Sequence, residues 1–143
     1  METINRRIGK VSLVLAVAAL VPAVAIAHGD VTPQAVDVST LKPVGDDWLA
    51  TNPYRGNAEA IRIGSSAYNQ NCARCHGLEA ISGGIAPDLR YLPVEDEGDE
   101  IFLNRIRHGS TRGGRVYMPP FEGILQQEAM WAIRAYVESV HEE

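Results

Sequence analysis

A chain of 143 residues with a net charge of −5 and 6% aromatic residues suits one small acidic domain with a thin apolar core. The acidity argues against a nucleic-acid binder, which needs a basic stripe. With only two cysteines, the chain lacks the several disulfides that usually staple small exported domains.

The amino terminus carries Arg6, Arg7 and Lys10 ahead of the apolar run VSLVLAVAAL, and Pro22 breaks that run. Ala25-Ile26-Ala27 is a small-x-small cleavage signal. The uninterrupted apolar stretch is short for a bilayer span. Residues 1–27 are therefore expected to be a cleaved signal peptide, with a periplasmic chain starting at His28 and no stable membrane anchor. Its loss removes three cations and one anion, leaving a more acidic remainder. Residues 28–56, with Pro33, Pro43 and Pro53, read as an extended arm, and residues 57–143 as the domain proper.

The first helix is expected from about Asn57 to Asn71, where Ala58, Ile61, Ala67 and Tyr68 recur at helical spacing. It leads into NQNCARCHG, which holds Cys72, Cys75 and His76. A structural zinc site needs four ligands, and the remaining histidines (His28, His108, His141) lie far apart. A thioredoxin-like disulfide would follow a strand, and the upstream spacing is helical. C-x-x-C-H is the attachment signature of c-type haem. Its two thiols reach the vinyl groups on one porphyrin edge, and the next imidazole turns to the iron. One covalent haem c would also supply the apolar bulk that so short a chain lacks.

Residues 77–98 read as a loop punctuated by glycine and proline. A second helix is expected from about Asp99 to His108, and a third from about Gln126 to Val140. The fold class is all-α, three to five helices around one haem.

An electron-carrying haem needs both axial positions filled by the protein, and a thioether raises its potential. Met118 follows a glycine-rich turn and precedes Pro119 and Pro120, so its side chain is aimed from a stiff loop. Met130 falls within a helix, where methionine is commonly core filler. His108, beside Gly109, suits a helix C-terminus. Met118 is the favoured distal ligand and His108 the next. His28 could chelate copper, or simply belong to a polar terminus.

These residues resemble the small monohaem class I cytochromes c. In that family a glycine and an aromatic stand eight and four residues before the haem motif, as Gly64 and Tyr68 do here. The glycine lets the first and last helices cross, with an aromatic of the last helix (here Tyr136) over it. A proline carbonyl that accepts the proximal histidine's Nδ1–H is matched by Pro87, although the family's preceding glycine is Ala86. HGDVTPQAVD, NPYRGN, GLEAISGGIAPDLRYLP and YMPPF are similar to the PedF-type cytochromes c, which accept electrons from PQQ-dependent (quinoprotein) alcohol dehydrogenases. That resemblance implies a monomeric one-electron carrier, not an enzyme, with a terminal oxidase or another cytochrome as acceptor. Tyr91, Arg112 and Arg115 are candidates for propionate or haem-edge contacts, and Trp48 and Tyr54 for the same role or for ordinary packing. The arginines around Met118 could steer docking, while the acids of VEDEGDE read as a solvated face.

Overall fold

The computed structural model describes residues 33–143. The expected signal peptide and His28 lie outside these residues. Helix α1 (Ala58–Asn71) starts at Asn57, whose side chain accepts from the Ala60 amide at 3.0 Å. Ala60, Ile63, Gly64, Ala67, Tyr68 and Asn71 form its buried face, a three-and-four spacing that places one stripe against a neighbour. That neighbour is α4 (Gln127–Ser139), which is buried on nearly every side and carries Trp131 fully enclosed. The two helices meet backbone to backbone at Gly64, where a Cβ would run into the Ala132 carbonyl. One turn further on, the rings of Tyr68 and Tyr136 pack 5.3 Å apart at 52°.

Between these helices lie α2 (Ala73–His76) and α3 (Glu95–His108). The third helix begins four residues before the expected Asp99. Gly98, which reads as loop punctuation, sits within its first turn as a packing residue, because a Cβ there would meet the Pro93 carbonyl. Acidic residues in that turn suit the positive end of the helix dipole.

Among the described residues, the mostly helical fold carries one short sheet that the all-α reading omits. Strands β1 (Ser110–Arg112) and β2 (Arg115–Met118) pair antiparallel, with Thr111 opposite Val116. Gly113 and Gly114 join them with φ of 54° and 77°, values that a two-residue hairpin turn of this hand requires.

Residues 33–56 contain no helix or strand, yet they pack firmly. Leu41 and Tyr54 are buried in the core. The Leu49 amide donates to Gln127 at 2.8 Å and the Val44 amide to Glu128 at 3.1 Å, so this segment covers the start of α4. Further along, the Asn52 amide donates to Asp99 Oδ2 at 2.7 Å. Asp99 is fully buried and also receives Arg134 Nε at 2.7 Å and Arg55 Nη2 at 2.6 Å. Arg134 is equally enclosed; its Nε meets Asp99 and its Nη2 donates to the Pro93 carbonyl at 2.8 Å, so the buried charges are paired, while its Nη1 has no partner among the described residues. Among the described residues, no helix is long and apolar enough to cross a membrane.

Candidate functional site

Helix α1 hands over to the C-x-x-C-H motif through Cys72, whose amide still bonds to the Tyr68 carbonyl at 2.8 Å. The Cys75 and His76 amides both donate to the Cys72 carbonyl at 3.0 Å, winding the motif into the single turn of α2. Gly77 ends that turn at φ 83°, where a side chain would collide with the Ile81 carbonyl. Cys72 is half-buried and Cys75 is exposed.

His76 turns its Nδ1 to the Pro87 carbonyl, 2.9 Å away. A carbonyl can only accept, so Nδ1 carries the proton and the Nε2 lone pair is left for a metal. Tyr68 steadies the same turn from beneath, donating to the Gly77 carbonyl at 2.8 Å. Its phenol is nearly enclosed, and desolvation raises its pKa.

Met118 closes β2, half-buried and packed against the core, and is followed by Pro119 and Pro120. The proline loop is tied back by the Phe121 amide, which donates to the Ile106 carbonyl at 2.8 Å. The alternative axial candidates are engaged elsewhere. Met130 is fully buried inside α4. His108 Nδ1 lies 3.0 Å from Asn104 Oδ1 at the end of α3, with Nε2 3.8 Å from Glu122.

The outer candidates do not gather at one point. Tyr91 is exposed and faces Glu142, 3.5 Å from its carboxylate. Arg112 and Arg115 flank the hairpin turn and are exposed, with Arg112 over the Tyr117 ring at 6.0 Å. Trp48 packs under Arg107 at 4.1 Å, and Tyr54 donates to the Lys42 carbonyl at 2.5 Å, which gives both a packing role.

Large apolar side chains stand open on the two segments next to the axial candidates. Leu78 (72% exposed) and Ile85 (80%) follow His76, and Val116 (66%) and Tyr117 (64%) precede Met118. A flat apolar macrocycle is the kind of group such residues cover, so the side chains present fit a covalently attached haem. Behind Pro87, Asp88 pairs with Arg90 at 2.9 Å; in the sequence the only signal for this is Asp directly after Pro, a turn-forming dipeptide.

Fold and site together define a helical haem-attaching domain, and comparisons with known proteins agree. The family described as cytochrome c oxidase, cbb3-type, subunit III matches residues 59–137. Over 121 residues the chain is 60% identical to cytochrome c550 of Pseudomonas aeruginosa, covering 82% of this chain and 83% of that protein. It is 34% identical over 87 residues to quinohemoprotein alcohol dehydrogenase ADH IIB of Pseudomonas putida, covering 61% of this chain and 12% of the dehydrogenase. Cytochrome CL of Methylophaga aminisulfidivorans shares the fold, with a TM-score of 0.53 over 78% of this chain and 79% of that one, at 24% identity. The chain belongs to the c-type cytochrome family. It carries covalent haem c and serves in electron transfer rather than as an enzyme.

Proposed function

We propose that this cytochrome is a periplasmic shuttle. It takes electrons one at a time from a PQQ-dependent alcohol dehydrogenase and passes them to a terminal oxidase or another cytochrome. The observation that carries the donor is the similarity to part of a quinohemoprotein alcohol dehydrogenase, an enzyme that contains a segment like this chain. Export follows from the expected signal peptide at residues 1–27.

Cys72 and Cys75 would hold the haem through thioethers, and His76 Nε2 and the Met118 sulfur would bind its iron. Bound haem supplies a ferric/ferrous couple of one electron. Met118 denies oxygen and peroxide a coordination site, and the Pro87 carbonyl fixes the His76 ring and makes it a more basic ligand. With both iron-binding groups supplied by the protein, electron gain and loss would need little rearrangement.

Mixing the purified holoprotein with a PQQ alcohol dehydrogenase and an alcohol should give the ferrous absorption spectrum. No reduction under these conditions, in a protein that dithionite reduces normally, would overturn the donor assignment. The match to the cbb3-type family favours a second reading, a general respiratory carrier with a different donor. The same assay separates the two.

A further inference from the structure

The carbonyl that faces His76 belongs to a loop whose shape is set by side chains far from the haem motif. Ser82 Oγ donates to the Ala86 carbonyl at 2.5 Å and accepts the Gly84 amide at 2.9 Å. Asp88, directly after Pro87, gathers four bonds. Its Oδ2 accepts from the Ser82 amide at 3.1 Å and from Arg90 Nη2 at 2.9 Å. Its Oδ1 accepts from the Arg90 amide and from Arg90 Nε, both at 3.1 Å. Arg90 continues outward, with Nη1 2.7 Å from a Glu142 oxygen. The Glu142 amide returns a bond of 3.0 Å to the Arg90 carbonyl. The segment beyond α4 is thus fastened to Arg90 at two points, and Arg90 to Asp88 at three more. The Arg90 guanidinium beside it holds the Asp88 carboxyl down, at about 2.

We infer that Asp88, Arg90 and Glu142 are positioning residues: together they clamp the Pro87 carbonyl onto His76 Nδ1 and thereby help to set the reduction potential. The inference rests on His76 being the axial ligand. A firm Nδ1–H···O bond makes an imidazole more electron-donating, which favours the ferric state. A clamp that loosens lets the carbonyl drift, weakens that donation and raises the potential.

Arg90→Gln separates this effect from simple electrostatics, because the two have opposite signs. Loss of a nearby cation by itself favours the ferric state and lowers the potential. Loss of the clamp raises it. The expected result is a ferrous-to-ferric ratio about threefold higher at a fixed solution potential, with faster solvent exchange of the His76 Nδ1 proton in the ferric NMR spectrum. A potential that falls or stays unchanged, with unaltered proton exchange, overturns the clamp. Should Arg90→Gln yield no haem-loaded protein, Glu142→Gln at the exposed end of the chain is read by the same exchange rate, and an unchanged rate overturns the clamp there too. The unmutated protein keeps the two readings apart. Absence of any hyperfine-shifted imidazole proton in it overturns the ligand assignment, whereas a shifted proton that Arg90→Gln leaves alone overturns only the clamp.

Discussion

Met118 and Met130 are chemically identical side chains with different surroundings. Met130 is sealed within α4, and drawing its sulfur out would open a cavity in the centre of the fold. Met118 stands half-buried at the end of a strand whose next two residues are prolines, so its backbone is stiff while its side chain stays available. Met118→Ala should therefore abolish the thioether-to-ferric charge-transfer band and let carbon monoxide bind the reduced protein readily. Optical spectra of the two oxidation states check this, and a surviving band would transfer the ligand role to another residue.

At the scale of elements, the crossing of α1 and α4 is the contact on which the haem motif depends, since α1 runs directly into Cys72. Gly64→Ala puts a methyl into the Ala132 carbonyl, a rigid backbone group that cannot swing aside. The helices must separate, at a cost of about 2 kcal/mol or more. Gly83→Ala is the matching control, because nothing lies within 4 Å of its added Cβ. Urea midpoints should fall for the first variant and stay level for the second. This crossing is legible from Gly64, Tyr68 and Tyr136, and α1 and α4 follow from apolar spacing. The start of α3 is not, because the sequence does not distinguish a glycine that ends an element from one, like Gly98, that admits a neighbouring carbonyl. The hairpin escapes periodicity because its strands span three and four residues and are largely exposed. Only the Gly113-Gly114 pair marks it. The Asp88–Arg90–Glu142 clamp escapes for another reason: its last member lies more than fifty positions along the chain, and only the fold brings it back.

For the molecule as a whole, Asp99 is where three parts of the chain converge. It sits on α3, Arg134 comes from α4, and Arg55 and the Asn52 amide come from the segment ahead of α1. Removing one member of a buried ionic group leaves the other charges stranded, which costs about 3–5 kcal/mol. Asp99→Asn preserves the shape but leaves the Arg134 cation enclosed with no carboxylate at 2.7 Å. The denaturation midpoint should fall by a corresponding amount, in a single cooperative transition. An unchanged midpoint would mean that Glu138, 3.8 Å from Arg134, takes over the charge.

The covering of α4 by residues 33–56 bears on how such a module can be reused. The family match begins only at residue 59. A graft cut at that boundary would leave behind Arg55 and the Asn52 amide, two of the three donors that satisfy Asp99. It would also uncover the amino end of α4, where Leu49 and Val44 are bonded. A fusion to another redox protein therefore needs the segment from Val44 to Arg55 as well as the matched residues, and a shorter insert would carry the haem motif without the scaffold that completes its charge balance.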